Sequence, residues 1–89
     1  MDRSFAKYVV HYKHDKYDVF IGRPSPYGNP FSIGKDGNRQ EVIEKFRKYA
    51  YSRPDFIQKI KKELKNKILG CHCSPLYCHG EILAKIANE

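Results

Sequence analysis

The segment Cys71-His72-Cys73-Ser74-Pro75-Leu76-Tyr77-Cys78-His79 brings three thiols and two imidazoles into nine positions. Two kinds of chemistry want that set. Zinc takes cysteine and histidine as preferred donors, and Cys71, Cys73, Cys78 and His79 could supply three or four of them. Strand alternation would put Cys71 and Cys73 on one face and His72 on the other, with Cys78 or His79 returning after Pro75. Against zinc, the spacing C-x-C-x4-C-H is not the paired-knuckle pattern of structural sites, and adjacent residues rarely both reach one tetrahedral ion. The second chemistry is nucleophilic. Cys78 stands where a helix is expected to begin, so the helix dipole and nearby imidazoles would favour its thiolate and make Cys78 and His79 a catalytic pair. The plain structural alternative makes Cys71 and Cys73 small buried strand residues and His79 a helix cap.

A second unusual segment, Gly22-Arg23-Pro24-Ser25-Pro26-Tyr27-Gly28-Asn29-Pro30-Phe31, follows an expected strand as phosphate-binding loops do. Arg23 carries a bidentate donor fork suited to phosphate or carboxylate. Gly28 and Asn29 allow unusual backbone angles and close approach to a ligand. The nucleotide fingerprints G-x-G-x-x-G and G-x-x-x-x-G-K-[ST] are absent. A rigid proline-clamped turn, with Phe31 plugged into the core and Arg23 in a salt bridge, explains the same residues without a ligand. A helix opening near Gly80 would add an anion-favouring spot, and Cys73 would stand close to it.

The elements that must position these segments follow from periodicity. Ala6–Tyr12 and Tyr17–Ile21 are rich in β-formers, and the polar Lys13–Lys16 between them reads as a hairpin loop. Asn38, with Glu41 three positions on, opens a helix over 39–51 whose Val42, Ile43, Phe46, Tyr49 and Ala50 recur at helical spacing. Pro54 starts a second helix along Phe56, Ile57, Ile60 and Leu64. Residues 67–73 read as a buried strand, and a last helix begins between Cys78 and Gly80. The order β-β-α-α-β-α predicts an α/β domain with a small three-stranded sheet, an N-terminal hairpin plus a strand made parallel by the αα crossover. Three helices flank it in a Rossmann-like layout. If strands 17–21 and 67–73 are parallel neighbours, the loops at Gly22 and Cys73 leave from one sheet edge and face each other across a crevice.

Through Asp18-Val19-Phe20-Ile21-Gly22-Arg23, Gly28-Asn29-Pro30-Phe31 and Cys71-x-Cys73-x-Pro75-x-x-Cys78-His79-Gly80, the chain resembles a bacterial and phage family, domain of unknown function 4326. The likeness runs from about Tyr8 to Ala87 and includes the spacing through Arg39-Gln40-Glu41-Val42-Ile43. Two positions depart from the family pattern: His72 stands where Trp is usual, and Glu81 where Asp is usual. A His72 pointing toward the cysteines would favour a metal; one pointing away would replace a core aromatic. The resemblance implies a compact domain whose two signature segments belong together, and it carries no established activity.

Length and charge set the frame. Eighty-nine residues are expected to form one domain, 1–89, and seven tyrosines with five phenylalanines supply the apolar area that disordered chains lack. No apolar run approaches the ~18 residues of a membrane span, so no membrane partner and a cytoplasmic setting, in a bacterium or a phage-infected host, are expected. Three cysteines, an odd number clustered together, do not make a disulfide framework. The net charge is +7, and residues 45–67 hold nine Lys and Arg against Asp55 and Glu63. That stretch is either a solvated helical face or a polyanion-binding one, with Lys59 and Lys62 its central contacts. The leading functional expectation is recognition, with chemical processing in view, of a small phosphorylated ligand such as a nucleotide or nucleoside derivative, at a site made by Arg23, Gly28, Asn29, Cys73 and Gly80 with Cys78 and His79 as the reactive pair. The alternatives are a zinc-stabilised nucleic-acid-binding module and a phage or host protein-interaction domain.

Overall fold

Helix α1 (Arg39–Tyr51) opens on a complete capping box: the Asn38 side chain accepts from the Glu41 amide, and the Glu41 carboxylate accepts from the Asn38 amide, both at 2.9 Å. Two donors that a helix start would leave unpaired are satisfied this way. Its inner stripe of Val42, Ile43, Phe46 and Ala50 is buried. Helix α2 (Pro54–Leu64) carries its proline in the first turn, where no intrahelical amide bond is lost, and buries Phe56, Ile60 and Leu64. Helix α3 (His79–Ala87) is buried at every position but Lys85. A helix covered on all sides belongs in the middle, and α3 packs against α1, α2 and the sheet. These features come from a computed structural model, which describes residues 3–74 and 76–89. Among the described residues no helix is long and apolar enough to cross a membrane.

The sheet has three strands, β1 (Val9–His11), β2 (Val19–Phe20) and β3 (Leu69–Cys71), in the order β1-β3-β2. Both outer strands run parallel to β3, with Val9 and Val19 each opposite Leu69. The expected strand beginning at Ala6 is shorter, because Ala6–Tyr8 forms a single 3-10 turn. The expected N-terminal hairpin does not form. β1 and β2 lie on opposite sides of β3 rather than beside each other, so the fold is α/β with an all-parallel sheet.

The reason is visible at Gly70. A Cβ there would come within 2.6 Å of the Tyr17 ring, so the segment joining β1 to β2 crosses over this position on the face away from α3. His14 and Asp15 amides both donate to the His11 carbonyl and turn the chain out of β1. Parallel connections usually need a dozen or more residues. Residues 12–18 suffice because the strands are only two or three residues long. Pairing each short strand with β3, whose three residues are all buried, covers more apolar surface than pairing the two half-buried strands with each other.

Leu69, Cys71, Val9 and Ile21 enter the core beneath the helices. On the opposite face, where a doubly wound fold would carry helices, stand the rings of Tyr12, Tyr17, Phe20 and His72.

Candidate functional site

Because β2 and β3 are parallel, their carboxyl ends share an edge, and the segments after Phe20 and Cys71 leave it side by side. Ile21 extends the pairing by donating to the Gly70 carbonyl at 2.9 Å. Gly22 is squeezed where the segments meet: a Cβ would sit 2.5 Å from Phe20 Cζ and 2.9 Å from the His72 ring. The loop then folds back through two turns, Ser25 N to Gly22 O at 2.8 Å and Gly28 N to Ser25 O at 3.0 Å. Asn29 is committed to holding it. Its Oδ1 accepts from the Phe31 amide at 2.9 Å, and its Nδ2 donates to the Val42 carbonyl of α1 at 3.2 Å.

His79 fastens this loop to α3. Its Nε2 lies 3.0 Å from both the Ile21 and the Tyr27 carbonyls, which can only accept, so Nε2 carries the hydrogen and donates to both. That assignment leaves Nδ1 with its lone pair facing Cys78 Sγ at 3.5 Å. Burial pushes the His79 pKa below its ordinary value, so the ring is neutral at pH 7; the two carbonyls oppose the shift without reversing it. The Phe46 ring meets it edge-on at 5.0 Å.

The three thiols converge beside this clasp. Cys78 caps α3, its sulfur accepting from the Gly80 amide at 3.4 Å, and it is 1% exposed. The neighbouring Cys71 and Cys73 sulfurs, and then burial, drive its own thiol far above the ordinary range. Cys73 is half-buried and held down to about 5, first by the neighbouring Cys78 and then by a hydrogen bond and charge from Arg39, with burial opposing. Cys71 is buried and lowered to about 7, again chiefly by Cys78. Of the three sulfurs, Cys73 is the one whose surroundings most favour a thiolate. Cys78, the sulfur expected in that role from its place at a helix start, has surroundings that oppose its ionisation, first Cys71 and Cys73 and then burial.

Around Cys73 opens a cleft of about 400 Å³. Arg23, Asn29, Cys71, Cys73, Cys78 and His79 line it. The two anticipated segments thus meet. Gly28 and Gly80 serve packing instead. A Cβ on Gly28 would lie 2.8 Å from Arg23 Cγ, and one on Gly80 would lie 2.5 Å from Ile21 Cδ1, so the start of α3 is pressed onto the strands rather than open to an anion. Phe31 is half-buried, meets Tyr49 edge-on and forms part of the cleft wall. Arg23 donates to Ser32 Oγ at 3.2 Å in place of the expected salt bridge. Lys59 and Lys62 are exposed on α2, with Lys59 Nζ 5.8 Å from the centre of the Tyr27 ring.

Arg39 also lines the cleft, donating to the Tyr77 carbonyl at 3.2 Å, and the sequence reading gave it no role. A signal was present: an arginine at the first position of a helix faces the positive end of the dipole. Such a local misfit marks a residue kept there for something else. Among the described residues neither Arg23 nor Arg39 has a carboxylate partner, and no carboxylate lines the cleft.

For zinc, no group of three or more His, Cys, Asp or Glu among the described residues is arranged to hold a metal, and His79 spends Nε2 on the clasp. The His72 ring joins the aromatic face, 4.7 Å from the Tyr12 ring and 5.5 Å from Phe20, as an aromatic replacement would.

Comparison with known proteins agrees with the resemblance carried by the two loops. The family described as Domain of unknown function (DUF4326) matches residues 7–89. The uncharacterized 12.4 kDa protein in the nrdA-td intergenic region of Enterobacteria phage T4 is 40% identical over 94 residues, covering 94% of this chain and 79% of that protein. The uncharacterized protein R718 of Acanthamoeba polyphaga mimivirus is 36% identical over 87 residues, 78% of this chain and 65% of that protein. No solved structure matches the chain. With both cleft-forming segments inside the matched region, the chain belongs to the DUF4326 family.

Proposed function

We propose that the cleft binds a small phosphorylated ligand, such as a nucleotide or nucleoside derivative, with its anionic group held by Arg23 and Arg39. The observation that carries this reading is the pair of arginines without carboxylate partners in a lining free of carboxylates. A guanidinium fork matches phosphate oxygens two at a time, and an anion between two such groups relieves their mutual repulsion. Phe31, Ile33, Val42 and Tyr77 in the same lining offer apolar and aromatic surface to a flat base. The volume lies in the range of small-molecule sites. The Cys73 thiolate offsets part of the Arg39 charge, which leaves Arg23 the larger share of the anion. Any reaction at the ligand would fall to Cys73, the half-exposed sulfur, with Cys78 and His79 behind it.

Calorimetric titration with a panel of nucleoside mono-, di- and triphosphates tests the reading. Saturable binding is expected, weakening by about tenfold or more in Arg23→Ala and in Arg39→Ala. Silence across the panel, or Arg23→Ala binding as tightly as the wild type, overturns it.

A further inference from the structure

We propose that Cys73 is an oxidative modification site that Cys78 resolves: a peroxide converts Cys73 to a sulfenic acid, and the Cys78 sulfur then displaces it to close a reversible Cys73–Cys78 disulfide. The arrangement is asymmetric in the way such a pair requires. All three cysteines are free, Cys73 is half-buried, and Cys78 is buried in the lining of the same cleft. An oxidant entering from solvent meets Cys73 first. Cys78, 1% exposed, is shielded and reacts with what Cys73 has become. The turn that donates Leu76 N to Cys73 O at 2.8 Å starts the return of the chain toward Cys78.

In the first step the Cys73 sulfur attacks one peroxide oxygen and the O–O bond breaks. The departing oxygen takes up a proton and leaves as water or an alcohol, and the peroxide is reduced by the two electrons that Cys73 loses. In the second step the Cys78 sulfur attacks the sulfenic sulfur, an S–S bond forms, and the S–O bond breaks. The hydroxide released takes the Cys78 proton and leaves as water. His79 Nδ1, 3.5 Å from Cys78 Sγ with its lone pair toward it, is placed to pass that proton on. The inference does not depend on what the cleft binds.

The test treats the reduced full-length chain with stoichiometric hydrogen peroxide at neutral pH and follows intact mass, thiol count and peptide mapping. The wild type is expected to lose two thiols and the mass of two hydrogens, to map the bond to Cys73 and Cys78, and to recover both thiols with dithiothreitol. Cys78→Ser keeps a good helix cap and is expected to accumulate a sulfenic acid on Cys73 that dimedone captures. Cys73→Ser is expected to oxidise about tenfold more slowly or less, and Cys71→Ser to behave as the wild type. Circular dichroism confirms that each variant is folded. Wild-type Cys73 running directly to sulfinic acid, Cys73→Ser oxidising at the wild-type rate, loss of the disulfide in Cys71→Ser, or one bound zinc shielding the thiols would each overturn the proposal.

Discussion

Cys73, just after β3, and Cys78, just before α3, line one cleft, yet their surroundings differ in almost every respect. At the end of β3 the sulfur is half-buried, borders the cleft and has Arg39 beside it. At the start of α3 the sulfur is buried, caps the helix, and lies next to an imidazole whose other nitrogen fastens the Arg23 loop. One half of the thiol cluster is open and charged, the other closed and structural. The contrast shows that a cysteine at a helix start is not reactive by position alone. Solvent access and through-space partners decide which of several neighbouring sulfurs holds the charge.

The largest expected effect lies in the closed half. His79→Ala removes the donor to two carbonyls and empties a buried site, and it should cost about 3 kcal/mol in urea unfolding. A cost below about 1 kcal/mol would mean that α3 does not depend on the clasp, and the contrast would break there.

The open half is tested by pH. A thiol with its pKa lowered to about 5 is a thiolate above that value and a thiol below it. Iodoacetamide labelling of Cys73, read by peptide mapping, should therefore be undiminished from pH 8 down to pH 6 and fall as the pH passes through about 5. Arg39→Ala removes a hydrogen bond and a positive charge and should move the fall to higher pH. A labelling profile centred near the ordinary ~8.5 of a free thiol would erase the distinction between the two sulfurs.

The smallest expected effect sharpens the comparison from the stability side. Cys73→Ser, at a half-buried position that caps no helix, should change unfolding free energy by about 0.5 kcal/mol or less. A cost comparable to that of His79→Ala would place Cys73 in the structural half as well.

The parts of this molecule legible in its sequence are those built from neighbours along the chain. The Asn38–Glu41 capping box and the bounds of α1 stand where the pattern put them, because a cap and an amphipathic stripe are made within a few residues. The shared edge of the Gly22 and Cys73 segments was also readable, since two intervening helices make a parallel β2–β3 pair the natural arrangement. The hairpin was not. Lys13–Lys16 looks like a turn in either topology, and the decision lay with β3, far along the chain and more deeply buried than either outer strand. Asn29 looked like a ligand contact because its partner, the Val42 carbonyl, belongs to another element. Arg39 looked like an ordinary helix-start residue for the same reason.

Sequence alone determined the helices, the cap of α1 and the meeting of two loops at one edge, for these follow from local hydrogen bonding and the short-range pattern of apolar side chains. Only the tertiary structure decided the strand order, the neutral tautomer of His79 and which sulfur of the three has surroundings that favour a thiolate. Each of those is a balance of desolvation, hydrogen bonds and charge over neighbours that the chain collects from distant segments, and no stretch of residues carries that balance by itself.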